Sequence, residues 1–257
     1  MNHMQPALPN DPVMVLNPEG RSSVVVVCEH ASRFIPPAFG ELGLDEAARQ
    51  SHVAWDPGAL EVARGLAQRF DAKLIASNVS RLVYDCNRPP SAADAMPAHS
   101  EVTDVPGNAN LTAAQRADRT ARFYDPFRAS LAAAIAATPD PILVTVHSFT
   151  PIYHAKPRAV EIGVLHDTDA RLSDAMMQIV KAYTGMNVMI NEPYGPADGV
   201  THTLKEHAIK AGHLNVMLEI RNDLIETPQQ QDAMSACLAN WLSGALAALK
   251  VPVGVQC

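Results

Sequence analysis

Six short, branched, apolar runs constrain this chain more than any other feature. They are "SVVVVC" (23–28), "AKLIASN" (72–78), "PILVTVHS" (141–148), "AVEIGVLHD" (159–167), "NVMINEP" (187–193) and "LNVMLEIR" (214–221). Successive apolar positions leave a strand no solvated face, so these runs read as strands covered on both sides, in a parallel or mixed sheet.

Helical patterns separate most of the runs. Residues 57–70 put Leu60, Ala63, Leu66, Ala67 and Phe70 on one face, with Pro57 in a first-turn position that tolerates its missing donor. A longer pattern starts at Thr112, a candidate N-cap, and Pro126 is expected to kink or interrupt it. Further helices are expected near 170–184, 201–211 and 228–248. The alternation predicts a three-layer α/β domain, with helices on both faces of a largely parallel sheet.

The first twenty residues, rich in proline and asparagine, lack the basic start and apolar core of a targeting peptide and read as a surface arm. Residues 21–257 then form a single domain. The segment "NRPPSAADAMPAHSEVTDVPGNAN" (87–110) breaks the rhythm, and an irregular insertion of this kind is expected to border a ligand site.

A net charge of -7 argues against nucleic acid as a partner, since that requires clustered Lys and Arg. No run approaches the roughly 18–20 apolar residues of a membrane span. The expectation is a soluble, cytoplasmic protein with a small-molecule partner; if that partner is anionic, local arginines must overcome the overall sign. Cys28, Cys86, Cys237 and Cys257 are scattered without a C-x-x-C pair, which argues against a thiolate zinc site or disulfide framework; Cys28 and Cys86 read as buried thiols.

Ligands gather at the carboxyl ends of such strands. The polar residues there are His30, His147, Glu219 and the "DCNR" group of Asp85, Asn87 and Arg88. Two imidazoles, a carboxylate and a further glutamate suit a mononuclear zinc site, with water in the fourth position and the glutamate shuttling its proton. Taken singly, each has a plainer reading. A strand-end histidine is more often a hydrogen-bonded structural residue; Asp56, just before Pro57, could cap a helix; Arg81 and Arg88 could be surface charges or a guanidinium fork for a carboxylate. His202 and His207, on or near one helix, are expected to be solvated, and a supporting role for His52 stays open.

The segments "CEHAS", "HVAWDPGALEVA", "SRLVYDCNRPP", "VTVHSFTP" and "LEIRNDLI" resemble, in order, the N-formylglutamate amidohydrolase family, from about residue 22 to 245. That family is more distantly similar to zinc carboxypeptidases and aspartoacylases, which implies a phosphorylase/hydrolase-like fold with a mixed sheet between helices. The resemblance implies zinc ligands at His30 and His147 and a general base at Glu219. It further implies that Asn87 and Arg88 hold the substrate's α-carboxylate and that Arg81 polarises the scissile carbonyl, although the spacing from Arg81 to Asn87 is one residue shorter than in aspartoacylases. Arg221 joins the substrate-binding set.

Arg33 stands where the distant relatives carry their carboxylate ligand, so that ligand must come from elsewhere. Asp56, in the "WD" motif, is the first choice and Glu29 the second, because neighbouring strand residues face opposite ways. The expected reaction is zinc-dependent hydrolysis of a small anionic N-acyl amino acid, N-formyl-L-glutamate first. The alternatives are an aspartoacylase- or carboxypeptidase-like hydrolase of another N-acyl or peptide substrate, and a metal-free carboxylate-binding module.

Overall fold

The computed structural model of the protein describes residues 11–252. Its strands are β1 (Val13–Leu16), β2 (Val24–Cys28), β3 (Lys73–Ser77), β4 (His99–Ser100), β5 (Thr103–Asp104), β6 (Ile142–Phe149), β7 (Ile152–Tyr153), β8 (Lys156–Pro157), β9 (Ile162–Leu165), β10 (Val188–Ile190) and β11 (Asn215–Arg221). The helices are α1 (Glu46–Gln50), α2 (Ala59–Phe70), α3 (Ala113–Arg119), α4 (Asp125–Ala136), α5 (Arg171–Ile179), α6 (His202–His207) and α7 (Pro228–Ala248).

Seven strands form one sheet in the order β1-β3-β2-β6-β11-β9-β10. From β3 to β11 the neighbours are parallel; β1 joins antiparallel to β3, and the β9–β10 pair runs antiparallel to β11. The sheet is therefore mixed and mostly parallel, and all six expected strands are in it. Part of the stretch read as a surface arm belongs to the sheet instead: Val13–Leu16 is an edge strand, while residues 1–10 lie outside the described residues.

The valine run shows why three layers form. Val24, Val26 and Cys28 pack with α2, α5 and α7, whereas Val25 and Val27 pack with α4, α6 and the 79–86 segment. A period of two with both phases apolar forces helices onto both faces. Thr112 caps α3 with a capping box, and a π-helical stretch at Thr120–Tyr124 interrupts the helix just before Pro126. Cys28 and Cys86 are buried, as expected.

Parity along the strands places the chemistry. Glu219 on β11 is in register with His147 on β6, and both share the face of Leu143 and Met217. The paired hairpins β4–β5 and β7–β8 stand beside that end of the sheet. Among the described residues, no helix is long and apolar enough to cross a membrane.

Candidate active site

His30 follows β2 where the strand leaves the sheet, and its backbone carbonyl accepts from the Asp56 amide at 2.9 Å. That bond draws the "WD" turn to the strand end. Asp56 is not a helix cap: α2 starts at Ala59 behind Gly58, which adopts φ +79 with its Cα against the Ile225 carbonyl, where any Cβ would come within 2.5 Å. The turn leaves the Asp56 carboxylate aimed back at the sheet.

There, His30, Asp56 and His147 converge. Asp56 Oδ2 lies 3.2 Å from His30 Nδ1 and 2.9 Å from His147 Nδ1, and the two imidazole nitrogens are 3.2 Å apart. One donor atom from each residue falls in a group that could hold a metal ion, and all three residues are buried. Tetrahedral bonds of about 2.0–2.1 Å put donor atoms about 3.3 Å apart, so this triangle fits zinc.

Both far nitrogens meet carboxylates. His30 Nε2 is 2.7 Å from Asp85 Oδ1, and His147 Nε2 is 3.1 Å from Glu29 Oε2, without the alignment of a hydrogen bond. Glu29 thus backs His147 from the opposite side, while the Asp56 carboxylate is the one that reaches both Nδ1 atoms. Imidazoles gripped in this way present their Nδ1 atoms to a common centre.

The charges support an ion. Glu29, Asp56, Asp85 and Glu219 are all buried, and Arg81 is the guanidinium that reaches into the group, 3.4 Å from Asp56 and 3.1 Å from Asp85. Buried charges require compensation. Without an ion the histidines supply it: against burial and the Arg81 charge, Asp85 and Asp56 raise the His30 pKa, and against burial Glu29 and Asp56 raise that of His147 well up. Burial opposes ionisation of Asp56 and Asp85, yet the facing His30 keeps both low, with Arg81 assisting at Asp85. Glu219 goes the other way, pushed up to about 7 by burial.

A cavity of about 260 Å³ opens onto the group and is lined by His30, Asp56, Arg81, Asn87, Arg88, His147 and Glu219. Ser100 and Glu101, from the 87–110 insertion, line it as well, with His52, Tyr153 and Tyr194. Gly163, opposite Glu219 in register, has no Cβ to hold off the Glu192 carbonyl, so the loop carrying Tyr194 comes close.

The three expected substrate-binding residues all have partners within the protein, Asn87 and Arg88 on the cavity wall and Arg221 away from it. Asn87 donates to the Val200 carbonyl at 2.5 Å and accepts from the Thr203 amide at 3.0 Å. Arg88 bonds Asp94 and the carbonyls of Asn87, Asp198 and Gly199. Arg221 does not line the cavity; it is tied to Asp223, Glu161 and the Arg158 carbonyl. A sequence shows a guanidinium but not which acceptor claims it. The helix histidines are also not simply solvated: His202 is half-buried, with Nε2 2.7 Å from the Tyr124 hydroxyl. His52 pairs with Glu101 at 2.6 Å on the cavity wall.

Asp85 and Glu29, both inside the quoted segments, stand behind the histidines, a role that their place in the sequence does not announce. Tyr194 lines the cavity from a loop that carries no periodic signal in the sequence.

Comparison with known proteins agrees with this architecture. A crystal structure of a gene product from Agrobacterium tumefaciens is 48% identical, covers 94% of this chain and 97% of that one, and superposes with a TM-score of 0.92. The N-formylglutamate amidohydrolase from Ralstonia eutropha shares the fold at 20% identity, with 92% and 99% coverage and a TM-score of 0.62. No protein with a curated description matches significantly. The family model described as N-formylglutamate amidohydrolase matches residues 22–226, most of the chain, and the protein belongs to that family.

Proposed function

We propose that the protein hydrolyses the amide of an N-acyl amino acid, with N-formyl-L-glutamate, giving formate and L-glutamate, as its first candidate substrate. The observation that carries this reading is the convergence of His30, Asp56 and His147 beside Glu219 in one cavity of an amidohydrolase-family chain. Residues 21–257 are read as one amidohydrolase domain.

Zinc is the ion assigned to the two imidazoles and one carboxylate. Bound there, it would supply Lewis acidity, polarising the scissile carbonyl and lowering the pKa of a water. Glu219 takes the proton from the attacking water and returns it to the leaving nitrogen, from a position in register with His147 on the cavity floor. Arg81 has a side chain 29% exposed beside the triad, and its guanidinium is assigned to the negative charge that develops on the carbonyl oxygen. Asn87 and Arg88 are assigned to holding the 198–203 loop, and Arg221 to the backbone at 158–161.

The test is metal analysis of the purified protein together with hydrolysis of N-formyl-, N-acetyl- and peptidyl-glutamate. Glu219→Gln keeps the ion and loses turnover by about 10²–10⁴-fold. Full activity in that variant removes Glu219 from the reaction, and a protein that hydrolyses acetyl or peptidyl compounds in preference changes the substrate.

A further inference from the structure

The two small hairpins stand apart from the sheet. Among the described residues, β4 pairs only with β5 and β7 only with β8. Ser100 and Glu101 of the first and Tyr153 of the second nevertheless line the cavity, while Val102 and Ile152 are exposed.

Their anchors differ. The β7–β8 hairpin is pinned: the Arg158 guanidinium lies 4.3 Å from the centroid of the Tyr153 ring and 5.5 Å from that of Phe149 at the end of β6, and the Arg158 amide donates to the Pro151 carbonyl at 2.8 Å. The β4–β5 hairpin is fixed at its base. Asn108 Nδ2 donates to the Pro97 carbonyl at 2.8 Å, and the Val105 amide to the Ala98 carbonyl at 2.9 Å. Beyond that base the hairpin bonds mainly itself, with His99 Nδ1 2.8 Å from Asp104 and its Nε2 2.8 Å from the Glu101 carbonyl.

Among the described residues, the hydrogen bonds that carry the β4–β5 turn to the rest of the protein are those of one carboxylate. Glu101 Oε2 lies 2.6 Å from His52 Nε2, and Oε1 accepts from the His154 amide of the facing hairpin at 3.2 Å. The turn is also strained. Ser100 pairs with Thr103, which leaves Glu101 and Val102 as a two-residue loop, and Glu101 sits at φ +55, in the left-handed region that a side chain adopts at a cost. Such strain persists only where surrounding contacts hold it, and here the two carboxylate oxygens are those contacts.

We propose that the β4–β5 hairpin is a lid over the cavity, hinged at Pro97 and Val105, and that the Glu101 carboxylate is the latch that holds it down on His52 and on the fixed β7–β8 hairpin. Two contacts near solvent break and re-form at small cost, and the strain at Glu101 favours their release. Glu101 is thus a positioning residue, which sets how often the cavity opens. The inference rests on the proposed function for what passes the lid, an N-acyl amino acid inward and its two products outward.

The experiment compares the full chain with its Glu101→Ala and Glu101→Gln variants. It measures the rates at which zinc enters and leaves, by competition with a chelator, and the hydrogen exchange of backbone amides. Glu101→Ala is expected to raise both zinc rates on the order of 5-fold at unchanged affinity, because a lid gates the two directions equally. Exchange rises in residues 98–105 and stays level in β6 and β11. Glu101→Gln, which keeps an acceptor for the His154 amide, falls between Glu101→Ala and the wild type. Zinc rates in Glu101→Ala equal to those of the wild type, or a faster release matched by lost affinity, overturn the inference.

Hydrolysis of N-formylglutamate, assayed alongside, separates this result from failure of the amidohydrolase reading. A protein that cleaves no formyl compound keeps the lid if the zinc rates and the exchange respond as stated. In a protein that takes up no zinc, carbethoxylation of His30 and His147, read by mass spectrometry, replaces the zinc rates. A similar acceleration in Glu101→Ala supports the lid, and an unchanged rate overturns it.

Discussion

The cavity joins two regions built on different principles. Its floor, formed by His30, Asp56 and His147 with Glu29 and Asp85 behind them, is almost fully buried and hangs from strand ends and backbone bonds. Its rim consists of the two hairpins β4–β5 and β7–β8, which leave Val102 74% and Ile152 56% exposed. The rim is joined through the single carboxylate of Glu101, which meets His52 at 2.6 Å and the His154 amide at 3.2 Å. The floor stores electrostatic energy in a buried setting, where removing one member leaves the others uncompensated. The rim makes its contacts near solvent, where each is worth little.

The sharpest way to break this contrast is His147→Ala. It is expected to abolish zinc binding and turnover, and to destabilise the ion-free protein by about 3–5 kcal/mol in urea unfolding, because Glu29 and Asp56 lose their buried counter-charge. Next is Glu29→Gln, which removes the prop and leaves the ligands in place. Zinc affinity measured by competition with a chelator should fall about 10–100-fold, and unchanged affinity would mean that strand geometry alone orients His147.

A pH series sharpens the comparison further. His30 and His147 are held above the ordinary imidazole value of 6.5 in the ion-free protein, so the folded state binds their protons more tightly than the unfolded chain. That stabilisation is complete below about 6.5 and is lost as pH rises through the raised values. Glu219 acts in the same direction, since burial penalises its ionised form between the usual carboxylate range and about 7. The thermal midpoint of chelator-treated protein should fall between pH 6 and pH 9, while that of zinc-loaded protein, whose ligands carry no such protons, stays nearly level. A parallel decline in both samples would remove the histidines as its source.

The smallest effect is expected at the rim. Glu101→Gln keeps a similar shape and weakens one partly exposed pair, so stability should change by no more than about 1 kcal/mol and zinc affinity not at all. A loss of zinc in that variant would show that floor and rim are one unit.

The floor was legible in the sequence because strands impose order. Val24 to Val27 announce a strand covered on both faces, His147 and Glu219 end such strands, and a family motif singled out Asp56. The rim was not legible, because a loop's path follows from contacts distant in sequence. Nothing local in "YHAKPRAV" says that Arg158 will lie across Tyr153 and Tyr194. The partners of Arg88 and Arg221 were not legible for the same reason, since a guanidinium looks alike in sequence whether it serves a substrate or a backbone carbonyl. Val13–Leu16 passed for an arm because its burial alternates only weakly and Pro12 and Asn17 flank it, as suits an edge strand. The reversal of β9 and β10 relative to β11 has no sequence signature, since antiparallel and parallel neighbours bury similar residues.

The tetrapeptide Asp85–Arg88 grips at both ends. Asp85 anchors the His30 ring, while Asn87 and Arg88, two and three residues further on, seize the carbonyls of Asp198, Gly199 and Val200. It acts as a tie rod: one short segment holds both the 198–200 ceiling and the His30 ring of the candidate metal group, so the height of the chamber and the aim of its floor are set by the same four residues.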